Sequence, residues 1–355
     1  MLSFGLGGVV VAIVCNTLLL RFSRSLGIRN KNDVVIRWSN ESKPSLGGVS
    51  FFVVFVFAAI AYSIVFHEAP NIFQNKQYVG LFVAGSLAFS MGLADDAYNT
   101  KPLIKLFVQI LCGVIFVLTG TSIELFHSAY LDGFFTVIWV VVIMNSLNML
   151  DNMDGITGTT VFFILATCIV SSWIIFPFNI NIWILMTISV LGAVTGFLSM
   201  NIHPSKLFMG DAGSQFIGLF VAFIGVKFLW NIGSSDPGNI HPSWLGLCVT
   251  LVAFTPAAVD TLTVVINRLK QGKSPMVGGK DHTTHHLVYA GLSDRKVWLV
   301  FVLIGLLSSL LAIMMVHLVS LEAYLPVLFF VVYFLFVFVL LYRNTLKYPA
   351  PEKKE

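Results

Sequence analysis

The chain has 355 residues, of which 57% are hydrophobic and only 11% are charged, and its mean hydropathy is +0.88. Because a soluble globular domain carries about 25% charged residues, this composition excludes an ordinary soluble protein and a disordered chain. The formal net charge is only +4, and we expect no nucleic-acid partner from it.

Long apolar runs separated by short polar breaks divide the whole chain. A spanning helix needs about 20 apolar residues, and these runs lack the two-residue alternation of a membrane barrel. We therefore predict an all-α fold, a polytopic membrane bundle of about 11 transmembrane helices. The predicted spans lie at 2–20, 46–66, 78–93, 103–120, 133–150, 158–176, 180–200, 213–230, 244–266, 297–318 and 323–342.

Positive charge predicts the orientation of these spans. The first run lacks a preceding basic residue and a cleavage site, so we interpret it as a retained span and not as a signal peptide. If segment 21–43 is cytoplasmic and the spans alternate, then only Lys76 and Lys227 of the 21 lysines and arginines lie off the cytoplasmic side. The N-terminus is then outside and the C-terminus inside.

Two adjacent acids, Asp95 and Asp96, end the third span, and Lys105 lies near the start of the fourth. Neighbouring carboxylates repel each other unless they share a cation, and Mg²⁺ prefers such oxygen ligands. For this pair taken alone, a solvated helix end with acidic caps is the alternative interpretation.

Four polar residues recur every three positions where the fifth span ends: Asn145, Asn148, Asp151 and Asp154. On a helix this spacing lines the side chains along one stripe, so they would face a common cavity. A polar seam between helices explains one or two asparagines, but it does not explain a pair of carboxylates.

The segment NIHPSKLFMGDAGS precedes the eighth span and contains Asn201 and, between two glycines, Asp211. Small neighbours let backbone N–H groups approach a phosphate, or let the acid reach a metal ion. Alternatively, Asp211 is the N-cap of the following helix.

The longest polar connection, 267–295, combines basic residues with three histidines: Arg268, Lys270, Lys273 and Lys280 with His282, His285 and His286. We expect a glycine-containing loop that closes over an anionic substrate. A zinc site is not expected, because no cysteine is near and the histidine spacing fits no zinc template.

These motifs, together with SKPSLGG at 42–48, occur in the order found in the polyprenyl-phosphate N-acetylhexosamine-1-phosphate transferase superfamily, also called glycosyltransferase family 4. The chain resembles that superfamily over about residues 40–295, and most of all its bacterial undecaprenyl-phosphate GlcNAc-1-phosphate transferases. The resemblance implies transfer of a sugar-1-phosphate from a UDP-N-acetylhexosamine to undecaprenyl phosphate, with release of UMP. This reaction is the first membrane step of a cell-envelope glycan pathway, such as cell-wall or O-antigen synthesis.

The resemblance also implies roles for single residues. It implies catalytic acids at Asp95, Asp96, Asp151 and Asp154, and Mg²⁺, with Mn²⁺ as a substitute, held by Asn148 and Asp211. It implies substrate binding by Lys105, Asn145, Asn201, Arg268, His282, His285 and His286. We expect one transmembrane catalytic domain over 1–343 and a short cytoplasmic tail over 344–355, in the cell inner membrane among lipids, with a homodimer as a habit of the family.

Two alternatives remain open from the residues. Phospho-MurNAc-pentapeptide transferases are related, but the eleventh span and the DHTTHHL segment favour the GlcNAc-1-phosphate branch. A secondary transporter would place its acids near the midplane of repeated halves, whereas these acids lie at one edge. One departure from the family is Asn152, which stands where a DGxDG motif has glycine.

Overall fold

The fold is known from a computed structural model that describes residues 1–22, 44–67, 70–177, 180–232, 242–276 and 278–351. The basic segment 23–43, residue 277 and the last four residues of the predicted tail lie outside these ranges. Within them the chain is helical and contains no β-strand. The helices are α1 (Leu2–Phe22), α2 (Val49–Val65), α3 (Lys76–Tyr98), α4 (Pro102–Leu118), α5 (Ala129–Leu150), α6 (Ile156–Ile175), α7 (Ile182–Asn201), α8 (Gly210–Gly225), α9 (Trp244–Ala253), α10 (Thr255–Lys270), α11 (Thr283–Tyr289), α12 (Asp294–Ser320) and α13 (Leu325–Lys347).

The architecture is a helical membrane bundle, as predicted. Among the described residues, eight helices are long and apolar enough to cross a membrane, with α8 counted together with the π-helical segment Val226–Trp230 that continues it. The bent pair α9–α10 is a ninth candidate. Helices α2 and α4 coincide with predicted spans but have only 17 residues each. Every predicted span is therefore helical, and the number of eleven crossings stays a prediction.

The predicted span 244–266 is not one straight helix. It breaks at Phe254 into α9 and α10, whose axes differ by 83°. Pro256 lies in the first turn of α10, where its missing N–H costs no helical hydrogen bond, and its ring opposes continuation of α9. The break redirects α10, and its C-terminal end borders the cavity described below.

Close packing of α3 against α8 brings two acidic motifs together. A Cβ atom on Gly92 of α3 would lie 2.4 Å from the Cα atom of Ala212 in α8, so only glycine permits this approach. The early glycine segment docks at the same place, because the N–H groups of Gly47 and Gly48 donate to the carbonyls of Phe208 and Met209, each at 2.9 Å.

Candidate active site

A cavity of about 930 Å³ opens at one end of the bundle, where several helices begin or end. The thirteen predicted site residues come from four separate motifs, and the cavity brings most of them together. Its lining includes eleven of those thirteen residues: Asp96, Lys105, Asn145, Asn148, Asp151, Asp154, Asn201, Asp211, Arg268, His282 and His285. The other two, Asp95 and His286, do not line the cavity.

Asp95 is buried and holds the turn between α3 and α4. Its Oδ1 accepts hydrogen bonds from the backbone N–H of Thr100, at 2.8 Å, and from the Thr100 hydroxyl, at 2.7 Å. Its Oδ2 forms an ion pair with Lys105, whose Nζ also lies 3.7 Å from Oδ2 of Asp211. Lys105 therefore carries positive charge between two of the predicted acids.

Asp96 caps helix α8 from the neighbouring helix. Its carboxylate oxygens accept the N–H groups of Asp211, at 3.1 Å, and Ala212, at 3.0 Å. The approach requires Gly210, which has φ of +77° and would place a Cβ atom 2.0 Å from the carbonyl oxygen of Ser45. The alternative that Asp211 itself is the N-cap is therefore wrong, because Asp211 lies in the first turn and Asp96 supplies the cap.

The side chain of Asp211 contacts the predicted second metal ligand. Asn148 donates from Nδ2 to Oδ1 of Asp211, at 2.6 Å, and to the hydroxyl of Ser214, at 2.8 Å. One turn earlier, Asn145 and the buried Gln109 form reciprocal amide hydrogen bonds at 2.7 and 3.3 Å. The amide stripe of α5 is thus held in register with α4 and α8.

The donor chemistry fits a hard divalent cation. Asp211 offers a carboxylate and Asn148 offers an amide oxygen. The carboxylate of Asp95 is close to them, because Lys105 contacts both Asp95 and Asp211. Within the described ranges, no set of three or more His, Cys, Asp or Glu side chains is arranged around one point as a metal site. A cation here would thus complete its shell with water or substrate oxygens, as Mg²⁺ commonly does.

Asp154 is fixed by the segment that follows α7. Its oxygens accept the N–H of Ser205, at 3.0 Å, and the Ser205 hydroxyl, at 2.8 Å, and Nδ1 of His203 lies 3.1 Å away. Asn201 links the turn before α6 to the segment after α7, because its Oδ1 accepts the N–H of Gly155 and its Nδ2 donates to the carbonyl of Leu207. Asp151 lies at the C-terminal end of α5 and lines the cavity.

The prediction of a loop throughout 267–295 is wrong in part, because the segment contains helical residues. Helix α10 continues to Lys270, and a further short helix, α11, contains two of the three histidines, with His282 at its N-cap. All three histidines are buried. Although the DHTTHHL segment is mostly polar, its threonines and leucine are buried where α11 packs against α10, α12 and α13.

Arg268 is buried and already has a partner. It donates from Nε and Nη2 to the two carboxylate oxygens of Asp281, each at 2.7 Å, and from Nη1 to the carbonyl of Pro275, at 2.8 Å. Burial alone would raise the pKa of Asp281, but the Arg268 hydrogen bonds and charge hold that pKa below its ordinary value. This fork fixes the segment between α10 and α11 at the rim of the cavity.

The two histidines within α11 face different surroundings. Burial lowers the pKa of His285 to about 3, and the charge of His282 adds to this effect, so His285 is neutral at physiological pH. Burial also lowers the pKa of His286, whose Nδ1 donates to the carbonyl of Tyr348 at 2.6 Å. His286 thus contacts the end of α13, whereas His285 lines the cavity.

Comparisons with known proteins agree with this geometry. Residues 78–229, which carry the acids of α3, α5 and α8, match the sequence profile of glycosyl transferase family 4. Over these residues the chain is similar to that family. The resemblance drawn from the motifs is confirmed.

Three proteins similar to this chain are named for one type of activity. A probable undecaprenyl-phosphate N-acetylglucosaminyl 1-phosphate transferase of Bacillus subtilis is 25% identical, over 77% of this chain and 73% of the relative. A decaprenyl-phosphate N-acetylglucosaminephosphotransferase of Mycolicibacterium smegmatis is 26% identical, with 75% and 70% coverage. The undecaprenyl-phosphate alpha-N-acetylglucosaminyl 1-phosphate transferase of Escherichia coli K12 is also 26% identical, with 76% and 71% coverage.

The family motifs do not include every residue that shapes this site. Asp260 is fully buried in α10 and accepts hydrogen bonds from His282 and Thr283. Its signal in the sequence is that it is the single charged residue inside the apolar run 244–266. Asn152, the departure from the glycine of the family motif, accepts a hydrogen bond from the hydroxyl of Thr284 at 2.7 Å.

Proposed function

We propose that this protein transfers GlcNAc-1-phosphate from UDP-GlcNAc to undecaprenyl phosphate, which releases UMP and forms undecaprenyl-pyrophosphoryl-GlcNAc. The observation that carries the proposal is the network of Asp211, Asn148, Asp95 and Lys105 at the wall of one open cavity. Two anionic reactants repel each other, and a site for them needs cationic charge together with ligands for a divalent cation. The activities for which the relatives are named support the same type of reaction.

The cavity has an apolar side that suits the lipid acceptor. Leu106 of α4, Val141 and Val142 of α5 and Val265 of α10 line it. The adjoining outer surface of α4 exposes large apolar side chains, including Phe107. A polyprenyl chain can therefore lie along these helices while its phosphate enters next to Lys105, and the UDP-sugar occupies the polar side near Asp154 and α11.

The chain's own residues support a direct in-line attack by the lipid phosphate on the β-phosphorus of the donor. The carboxylate of Asp96 is engaged in capping α8, and that of Asp95 is engaged by Thr100 and Lys105, so neither is presented as a nucleophile. Lys105 neutralises charge between the reacting phosphates. Mg²⁺, or Mn²⁺ in its place, held by Asp211 and Asn148 would supply further charge neutralisation.

We place this site at the cytoplasmic face of the cell inner membrane, with the N-terminus outside. Basic residues that the positive-inside rule assigns to the cytoplasm lie at this end of the bundle: Arg268 and Lys270 in the last turn of α10 and Lys105 near the start of α4. UDP-sugars are cytoplasmic, so the proposed donor requires the same orientation. A homodimer remains an expectation from the family.

The proposed function is tested with purified protein, undecaprenyl phosphate, Mg²⁺ and a panel of labelled UDP-sugars that includes UDP-MurNAc-pentapeptide. We expect labelled lipid from UDP-GlcNAc and its loss in excess EDTA. Label in lipid only from UDP-MurNAc-pentapeptide would assign the protein to the related transferases. Label trapped on the protein when lipid is omitted, with stoichiometric UMP, would contradict direct attack and indicate a covalent intermediate.

A further inference from the structure

Asp260 is a carboxylate inside the bundle that belongs to none of the motif acids. It is fully buried in α10, between one and two turns beyond the break at Phe254. A buried carboxylate is costly unless its oxygens are fully hydrogen-bonded and its charge is paired. Asp260 therefore has to be explained by what contacts it.

Both oxygens of Asp260 contact the start of α11. Oδ1 accepts the backbone N–H of Thr283, at 2.8 Å, and the Thr283 hydroxyl, at 2.6 Å. Oδ2 lies 2.8 Å from Nδ1 of His282. Because a carboxylate only accepts hydrogen bonds, Nδ1 carries the proton in this contact.

His282 lies between Asp260 and the cavity. The side chain lines the cavity while its Nδ1 is engaged on the protein side, so Nε2 is the nitrogen available to a substrate. The other charged or titratable groups around it are Arg268 of α10, which pairs with Asp281, and His285, whose ring centroid lies 5.4 Å away. Asp260 alone among them accepts a hydrogen bond from the His282 ring in the described contacts.

We infer that Asp260 is a positioning residue, which fixes the orientation and the Nδ1 proton of His282 and thereby presents Nε2 to the donor substrate. The part of this inference that concerns substrate rests on the proposed function. The part that concerns the proton stands on the geometry alone. Asp260 needs no contact with substrate, because it acts through the imidazole.

Asp260→Asn tests the position of the His282 proton directly, because the contact with Thr283 fixes the orientation of the new amide group. The backbone N–H of Thr283 can only donate, so the amide oxygen must take the place of Oδ1. The amide NH₂ then faces Nδ1 of His282 as a donor, and Nδ1 must lose its proton to accept it. Thr283→Val is the matched control, because it removes the hydroxyl contact but keeps the N–H contact and the carboxylate.

The experiment is ¹⁵N NMR of histidine-labelled protein, with the His282 signal assigned from its loss in His282→Gln. We expect Nδ1 to be protonated in the wild type and in Thr283→Val, and unprotonated in Asp260→Asn. An unprotonated Nδ1 in the wild type would overturn the inference, whether or not the variants fold. This readout needs no turnover, so it is independent of the proposed reaction.

Kinetics with UDP-GlcNAc then test whether Asp260 acts through His282. Asp260→Asn should lower kcat/KM at least about tenfold, and adding it to His282→Gln should cost no more than about a further twofold. If the loss of kcat/KM in the double variant equals the product of the two single losses, the positioning role is overturned. A wild type that transfers no sugar phosphate while its Nδ1 is protonated would contradict the proposed function and leave the positioning geometry supported.

Discussion

Asp211 shares its surroundings with an amide, an ammonium group and a second carboxylate, and this makes it the residue most sensitive to loss of charge. Asp211→Asn keeps the shape but removes the charged oxygen that accepts from Asn148. We expect turnover to fall at least about 100-fold, the scale of the several kcal/mol that a bound cation contributes to such reactions. The measurement is the initial rate of lipid labelling at saturating Mg²⁺.

Asp132→Asn is the matched control at the opposite end of the bundle. Asp132 is also buried, and its carboxylate accepts the N–H groups of Leu125, Phe126 and Ser128. Its substitution should lower the thermal unfolding midpoint but leave turnover per folded molecule nearly unchanged. A similar loss of turnover from both substitutions would contradict the placement of the active site.

Asn152 connects the α5–α6 turn to α11 through the hydroxyl of Thr284. Asn152→Gly restores the glycine of the family motif and removes this hydrogen bond, which is worth about 1 kcal/mol. We expect kcat/KM for UDP-GlcNAc to fall a few-fold, and Thr284→Val to have the same effect. The double variant should match either single variant, and an unchanged kcat/KM in both would refute the connection.

His285 makes stability depend on pH in a specific window. Its pKa is about 3 when folded and 6.5 ordinarily, because burial disfavours the charged ring. Below pH 6.5 the unfolded chain therefore takes up a proton that the folded chain does not, and the free energy of unfolding falls as pH falls. Between pH 6.5 and 5 the wild-type unfolding midpoint should fall more steeply than that of His285→Gln.

Exposed His67 provides the control for this pH prediction. His67→Gln should leave the wild-type slope of midpoint against pH unchanged. A slope in His285→Gln as steep as in the wild type would show that His285 is not buried as a neutral ring.

At the scale of elements, the contact between α3 and α8 sets the distance between the acidic motifs. Gly92→Ala would place a methyl group 2.4 Å from the Cα atom of Ala212 and would force the helices apart. We expect both a lower unfolding midpoint and a loss of turnover. Gly7→Ala in α1 has no atom within 4 Å of the new methyl and should be neutral or slightly stabilising.

The elements also show where sequence and structure diverge. Apolar runs predicted the position of every helix except α11, because membrane burial requires such runs to be continuous. The break at Phe254 was missed, since α9 and α10 are both apolar and Pro256 alone does not reveal an 83° bend. Helix α11 was missed because a polar segment of glycines and histidines resembles a loop until Asp260 and Asn152 bind its threonines.

The sequence predicted which residues form the candidate site, but it did not predict which residues they contact. Spacing alone placed Asn145, Asn148 and the following acids on one helical stripe, and all four line the cavity. Only the two asparagines lie on α5, because the helix ends at Leu150, and Asp151 and Asp154 follow it. The role of Asp96 as the cap of α8 depends on a pairing of distant segments, which no local pattern encodes. The same is true of the contact between His286 and Tyr348.

At the scale of the whole molecule, the proposed orientation places the cavity and α11 in the cytoplasm. In a variant without the four native cysteines, Lys280→Cys should react with an impermeant maleimide only in inverted vesicles. Ser243→Cys, at the opposite end, should react only in intact cells. Labelling of Lys280→Cys from outside would reverse the topology.

The most direct test of the proposed reaction follows the two phosphates of the donor separately. With UDP-GlcNAc labelled in the β-phosphate, the label should enter the lipid, and with α-phosphate label it should leave as UMP, in equal molar amounts. This result requires that the bond between the two phosphates is the one that breaks. Release of UDP, with both labels in the soluble nucleotide and only sugar on the lipid, would contradict sugar-1-phosphate transfer.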